Sequence, residues 1–573
     1  MLYLNSRGAI ALLFTISLLI HRCKIDESAI TEKEPDPVVQ EKKTREISFD
    51  LSVQRKAVKN IFSEVNVWDF RGDWTSKAST QPVNYFSTNY PFVKTVQFMT
   101  ATGGNAARDL FIDPNGQSLN DYKFDVILSA LHNVVNQGLK PMIKTGAVPL
   151  KYSVNPTIGG FGVNVRPPND FNIYYEYIKT LAQAIVSDFG INEVKTWSWG
   201  VLTEYENKDW FYDGGNLGET SKIAYFKLYD YTVAALQDAI GSDNLIVGAH
   251  SMTCTNGLWN ELDFINHVAN GTNYKTGKKG TSINFLATSY YDKQPGIRTP
   301  GSLDITQTIN SLRNKAIENG LSNLKYGVDE GRILSGPKED DRDLLSRIVA
   351  HSFQAASDAR LFKTMNDIDA DWFSTWGLST EGFWGGVPSV GTHIANLTYK
   401  MAGETRLKST VDGSPEDITN EINGMGSYNS SLNRVHVMVY NYNNSMNSIS
   451  SETPIIALIN ILPLTGSSVT VKQWIVDDEH GNFWPSWFAD MKIRGLTNGS
   501  FSWSGYSLEI PSNMANQFNK DFWYSREAFY KIRAALEVMT DTLTIINGKL
   551  TLKPELKPHG TIFYEIENVK PIQ

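Results

Sequence analysis

Between residues 56 and 401 the chain alternates eight times between a short apolar run and a stretch with helical periodicity. The runs are SEVNVWDF, VKTVQFMTA, KPMIKTGAV, VKTWSWGVL, NLIVGAHS, INFLATSYY, LKYGVDEG and DADWFSTWG. Stretches between them, such as DFNIYYEYIKTLAQAIVSDFG, KIAYFKLYDYTVAALQDAIG and DDRDLLSRIVAHSFQAASDARLF, repeat their apolar residues every three or four positions, as one face of a helix does. Strand–helix alternation forces parallel strands joined by crossovers. Eight such units over this length predict an α/β fold, a (β/α)8 TIM barrel with insertions. A doubly wound open sheet is the structural rival. It would bring a glycine-rich phosphate loop after the first strand, and FRGDWTSK is no such loop.

The texture changes at residue 402. From 402 to 573, NRVHVMVYNYN, SSVTVKQWIVDD, YSLEIP, DTLTIINGKLTLKPEL and GTIFYEIEN read as short alternating strands between Gly, Asn and Pro turns, the pattern of an all-β sandwich. Residues 46–55, containing ISFDLS, read as a further strand expected to join it. Residues 24–45 are charged, contain proline and form a linker. Residues 1–23 carry Arg7 and then an apolar core from Ala9 to Ile20, too short to span a bilayer comfortably and typical of a signal peptide, so export to the periplasm, cell surface or medium is expected. Cys23 stands where a lipid anchor would attach, although His21 and Arg22 replace the small residues that such a site normally carries.

Composition narrows the function. A net charge of −8 with no basic stripe argues against a nucleic-acid partner. Two cysteines, Cys23 and Cys254, allow no disulfide framework, the nine histidines show no HxxxH-type spacing, and no metal or cofactor is expected. The 14 Trp either fill a large core or pave a cleft for stacking on sugars.

Two of the apolar runs end on glutamates. Glu204 closes VKTWSWGVLTEYEN and Glu330 closes LKYGVDEGRIL, the fourth and seventh strands. Strand ends of a parallel barrel converge on its C-terminal face, where active sites are built. Two carboxyl groups meeting there suffice to cleave a glycosidic bond, one protonating the leaving oxygen and one attacking the anomeric carbon. Glu206 competes with Glu204, being on the same side of a two-residue repeat. Other candidates at the barrel mouth are Lys144, His250, Tyr290, Glu381, Trp384 and Trp74. Arg332 and Lys144 would suit an anionic or sulfated glycan, the alternative being ion pairs with Asp329 or Glu206.

In order and content these residues resemble glycoside hydrolase family 39 or a close neighbour in clan A, a group that pairs a catalytic barrel with a β-sandwich and retains anomeric configuration. WGVLTEYEN is similar to the family's fourth-strand motif, which implies Glu204 as acid/base. DEGR implies Glu330 as nucleophile, NFLATSYY places Tyr291 on the usual tyrosine, and Trp376 matches a tryptophan floor on the eighth strand. WIVDDEHGNFWPSW resembles the post-barrel region. Thr203 stands where the family has asparagine, Ser289 where it has histidine, and Gln97 where it has arginine. The resemblance implies a retaining O-glycoside hydrolase, with exo- favoured over endo-action. A non-catalytic glycan-binding protein with a degenerate barrel is the alternative. Glu204 is expected to be protonated at rest and Glu330 ionised.

Overall fold

The structure, a computed structural model, describes residues 43–68, 70, 79–215, 218–292, 302–333, 353–374, 387–415, 421–442, 455–493 and 517–571. The expected leader with Cys23, most of the linker, the run YSLEIP, and the candidates Trp74, Trp376, Glu381 and Trp384 lie outside these residues. No helix among the described residues is long and apolar enough to cross a membrane.

Strand β1 (Thr44–Ala57) leads into eight strands: β2 (Glu64–Val67), β3 (Thr95–Phe98), β4 (Lys140–Thr145), β5 (Ser198–Val201), β6 (Val247–Ser251), β7 (Phe285–Asp292), β8 (Lys325–Ile333) and β9 (Trp372–Phe373). They follow one another in chain order in one sheet, every pair parallel. The Phe373 amide donates to the Ile61 carbonyl at 2.7 Å, which brings the last strand back to the lead-in of the first. Each strand overlaps one of the eight apolar runs. The result is the expected TIM barrel.

Local chemistry sets the helix limits. Phe171–Phe189 starts at Asp170, whose carboxylate accepts from the Asn172 amide at 2.8 Å, and stops at Gly190, whose φ of 79° favours glycine. Ile305–Glu318 opens on a capping box between Asp304 and Gln307. Between sheet and helices lies a continuous apolar core that includes Val65, Val96, Ile143, Trp199, Leu286 and Val328 from the strands.

Inside the barrel, two glycines make room for larger neighbours. A Cβ on Gly200 would stand 2.9 Å from Cγ of Lys144, and one on Gly327 would stand 2.2 Å from the Trp372 ring. Both side chains therefore cross the barrel interior against bare backbone.

A mixed eleven-stranded sheet forms the second layer system. β1 belongs to it, antiparallel to Thr405–Val411 and parallel to Ile455–Leu462. At its middle, Arg434–Asn441 pairs antiparallel with Ile422–Asn429 and Thr561–Glu567. Its residues alternate between two cores. Val435, Val437 and Val439 pack with Ile562, Tyr564 and Ile566, whereas Met438, Tyr440 and Phe563 join the barrel core. Both faces are covered, so VHVMVY is apolar on both sides except at His436, whose Nδ1 is hydrogen-bonded to Glu404 at 2.8 Å. Among the described residues two helices interrupt this β region, Trp484–Ile493 and Gln517–Ala534. They are tied together at Asp490, which accepts from the Tyr530 hydroxyl at 2.7 Å and from Arg526 Nε at 3.0 Å. Their aromatic-rich sequences carry no clear helical stripe, which is why periodicity did not announce them.

Candidate active site

β5 ends at Val201, so Thr203, Glu204 and Glu206 stand in the turn that follows it rather than in the strand. Leu202 and Glu204 both take positive φ, 66° and 44°. Non-glycine residues hold this backbone region at a cost on the order of 1 kcal/mol each, and such strain concentrates at functional sites. The turn fits closely over β4: the Leu202 amide donates to the Thr145 carbonyl at 2.7 Å, and a Cβ on Gly146 would stand 2.9 Å from the Leu202 nitrogen.

The turn sends its two acids apart. Glu206 points away from the mouth into the loop after β6, where its Oε1 accepts from the amides of Met252 at 2.7 Å and Thr253 at 3.0 Å and from the Ser251 hydroxyl at 2.8 Å. Gly257 packs against its side chain. Glu206 is thus a structural anchor. Burial, with added repulsion from Glu261 and Glu204, pushes its carboxyl up to about 8, against the pull of the Ser251 hydrogen bond. The folded chain therefore holds a proton that the unfolded chain releases near the usual carboxyl value of about 4.3. Stability contributed by Glu206 falls as pH rises from about 5 to about 8, because the native state binds more protons there. Glu206→Gln keeps the acceptor and removes the titration. Denaturant midpoints across that window are expected to fall less steeply in the variant than in the parent, and equal slopes would refute the assignment.

Glu204 faces the mouth and is 6% exposed. Its Oε2 accepts from Asn207 Nδ2 at 2.6 Å. Its carboxyl is pushed up to about 7, first by burial and then by the negative charge of Glu330. The Ser289 hydroxyl, the hydrogen bond from Asn207 and the charge of Lys144 pull the other way. Asn207 and Ser289 were not among the expected site residues. Asn207 sits inside the quoted run VLTEYEN, and Ser289 is the residue standing in place of the family's histidine; neither carries a signal of its own.

Glu330 arrives by a different device. Thr288 of β7 pairs with Val328 and Ser289 with Glu330, so Asp329 is an extra residue, a β-bulge in β8. In a regular strand neighbouring side chains point to opposite faces. The bulge breaks that alternation, and both Asp329 and Glu330 turn inward. The bulged carbonyl of Asp329 is satisfied from inside the barrel, accepting from Gln97 Nε2 at 2.8 Å and Asn66 Nδ2 at 3.4 Å. Gln97, standing where the family has arginine, therefore holds the bulge. Glu330 is 6% exposed, and its Oε1 accepts from the Tyr291 hydroxyl at 2.6 Å. Its Oε2 has no hydrogen-bond partner among the described residues. One carboxylate oxygen is fixed, and the other is buried with its hydrogen-bonding capacity unused.

The remaining candidates divide. Tyr291 stands at the mouth beside an apolar wall of Trp68, Met99, Phe161, Val163 and Trp210. Trp210 packs at 4.9 Å on Phe161 and 5.4 Å on Trp68, measured between ring centres. Its buried indole N–H has no acceptor among the described residues. Lys144, Thr203 and His250 lie under the site rather than on its surface, each at most 1% exposed. Lys144 Nζ stands 3.2 Å from Asp329 Oδ2, 3.4 Å from Thr203 Oγ1 and 2.5 Å from His250 Nδ1. The Asp329 pairing weighed at the outset as the alternative is therefore present. Arg332 lies in β8, but its side chain falls outside the described part of the structure. Tyr290 packs against the main core behind the sheet.

A parallel eight-stranded barrel thus holds two glutamates in each other's field, Glu204 just past its fourth strand and Glu330 in its seventh. Comparison with known proteins shows what the chain is similar to. A model of the glycosyl hydrolases family 39 matches residues 108–319. The chain is 26% identical over 191 residues to a beta-xylosidase of Caldicellulosiruptor saccharolyticus and 26% identical over 159 residues to one of Geobacillus stearothermophilus. These alignments take in 33% and 28% of this chain and span only about a third of the curated relatives, 35% and 30% of their lengths. Over the whole chain the fold is similar to that of the family 39 enzyme from Xanthomonas axonopodis pv. citri, with a TM-score of 0.63, 12% identity and coverage of 94% of this chain and 99% of that one. A monomeric beta-xylosidase from Caulobacter crescentus gives 0.62, 14%, 92% and 100%. Over residues 108–319 the chain is thus similar to glycosyl hydrolases family 39, and its fold is similar to that of a solved family 39 enzyme.

Proposed function

We propose that the protein is a retaining O-glycoside hydrolase that cleaves a polysaccharide or oligosaccharide by double displacement. Glu204 is the acid/base and Glu330 the nucleophile. The observation that carries this reading is the asymmetry of the pair: burial and Glu330 raise Glu204 to about 7, while Glu330 is oriented by Tyr291 with Oε2 unpaired among the described residues.

In the first step Glu330 Oε2 attacks the anomeric carbon. The glycosidic bond breaks, and its oxygen leaves as an alcohol carrying the Glu204 proton. Glu330 is then an uncharged ester. The repulsion that raised Glu204 disappears, whereas Lys144, Ser289 and Asn207 still favour its anion. Glu204 is thereby readied to take a proton from the water that cleaves the ester.

Two relatives that the chain resembles are named beta-xylosidases, so nitrophenyl β-D-xyloside and xylo-oligosaccharides are the first substrates to test, followed by uronic and sulfated oligosaccharides. Proton NMR of the first-formed sugar is expected to show the anomeric configuration of the substrate. An inverted product overturns double displacement. Tight glycan binding without turnover on any of these substrates favours a binding protein instead. The kcat/KM profile is expected to fall on its alkaline side with a midpoint at about pH 7, because the first step needs Glu204 protonated. A profile flat through pH ~9 would contradict the acid role.

A further inference from the structure

The end of the barrel opposite Glu204 and Glu330 holds a cavity of about 450 Å³. Its walls are strand starts. Glu64, Ser198, Phe285 and Trp372 are the first residues of β2, β5, β7 and β9, and Met142 of β4 joins them. In size it falls within the range of cavities that enclose small molecules, about 300–1,000 Å³.

The cavity has a polar anchor. Glu64 is 7% exposed. Two residues further along β2, Asn66 reaches the Asp329 carbonyl inside the barrel, so Glu64 points inward as well. Its Oε1 has no hydrogen-bond partner among the described residues. An unpaired buried carboxyl oxygen is costly, and a donor that enters the cavity relieves it. Rotation about the last side-chain bond presents either oxygen, because that torsion is soft and two-fold. Beside the anchor stands an apolar platform. The Trp372 ring lies on the bare backbone of Gly327, meets the Phe285 ring edge-on at 5.7 Å and 83°, and donates its indole N–H to Asp329 Oδ1 at 2.9 Å. Held on these sides, the ring cannot swing out of the wall.

Charge selects the class of occupant. Lys59 at the rim is already paired, with Asp369 at 2.7 Å and Asp371 at 2.9 Å. Exposed Lys325 at the rim disfavours a cation, and Asp371 with the Glu64 carboxyl disfavours an anion. Burial, then the charge of Asp329, pushes the Glu64 carboxyl well above its usual range, against the pull of Lys144. The protonated form, a donor as well as an acceptor, is thereby favoured. Ser198 adds a hydroxyl to the wall. A sugar ring, with an apolar face and hydroxyls around its edge, suits a platform and an anchor arranged in this way. We propose that this end of the barrel is a second binding site, for a neutral single-ring sugar that packs on Trp372 and hydrogen-bonds to Glu64. The site shares no residue with Glu204 and Glu330 and does not rest on the roles given to them.

Carbon NMR of methyl-labelled methionine on the full chain tests this. Met142 is 1% exposed and packs with Phe285 and Trp372 in the cavity wall, and its signal is assigned by its loss in Met142→Leu. D-xylose or D-glucose is expected to shift that signal saturably. Glu64→Leu removes the anchor without leaving an unpaired oxygen, and is expected to weaken sugar binding at least about fivefold. Thr196→Trp fills the cavity from an exposed rim position and is expected to abolish the shift with hydrolysis unchanged. A shift that survives Thr196→Trp means that the sugar acts from elsewhere, and the proposal falls. It falls too if neutral sugars leave Met142 unmoved, if glucosamine or glucuronate alone moves it, or if Glu64→Leu binds as tightly as the parent. The Thr196→Trp result does not depend on Glu64→Leu folding. Loss of hydrolysis on every glycoside, with Met142 responding as expected, would sink the proposed function and leave this site standing.

Discussion

Glu330→Ala is expected to lower kcat/KM by a factor on the order of 10^5 to 10^6, the scale seen when a covalent nucleophile is removed from an intact site. The fold should survive. The bulge that presents Glu330 is held through the Asp329 carbonyl by Gln97 and Asn66 and through Asp329 Oδ1 by Trp372 Nε1 at 2.9 Å, none of which the substitution touches. Truncation also opens a space beside the Tyr291 hydroxyl. A small anion such as azide can enter it and attack an activated glycoside from the side Glu330 occupied. With no ester formed and then cleaved, the product is a glycosyl azide of inverted configuration. Rescue by azide, with the stereochemistry read by NMR, identifies the nucleophile. Activity above about one per cent of the parent without azide would remove Glu330 from that role.

The second large effect belongs to Glu204 and depends on the leaving group. Glu204→Gln keeps an acceptor for Asn207 but has no proton to give. Hydrolysis of an alkyl glycoside or an oligosaccharide is expected to slow by about 10^2 to 10^4, the usual contribution of a placed acid. A dinitrophenyl glycoside, whose leaving oxygen needs little protonation, is expected to retain its first step within about tenfold and to accumulate glycosyl-enzyme, since the second step now lacks its base. The alkaline limb near pH ~7 should vanish with the titrating group. Equal losses on both substrates would assign Glu204 to structure rather than proton transfer. The same comparison on Glu206→Gln is expected to show no dependence on the leaving group, because Glu206 faces the β6 loop.

The eight alternations between residues 56 and 401 were legible because each depends on local periodicity: a strand needs a few apolar residues, and a crossover helix needs a stripe every three or four. The same logic placed Glu204 and Glu330 at strand ends. It could not separate Glu204 from Glu206, because it assumed a strand where β5 had already stopped at Val201 and a turn with two positive φ angles had begun. Nor did VDEG disclose that Asp329 is an extra residue, since a bulge is defined by the partner strand. Lys144 and His250 were picked out as mouth residues, because position along a strand says nothing of depth inside a closed barrel. The helices Trp484–Ile493 and Gln517–Ala534 escaped for want of a stripe.

What the sequence determined by itself was the order of the barrel's strands and the two acids close to the C-terminal ends of the fourth and seventh, properties carried by neighbours along the chain. Only the tertiary structure decided which acid faces the mouth, that a bulge turns Glu330 toward it, and that Lys144 and His250 lie paired beneath the site. Those outcomes depend on which hydrogen-bond donors and charges from distant strands reach one buried carboxyl, and in a barrel interior that is settled by closure of the sheet rather than by local sequence.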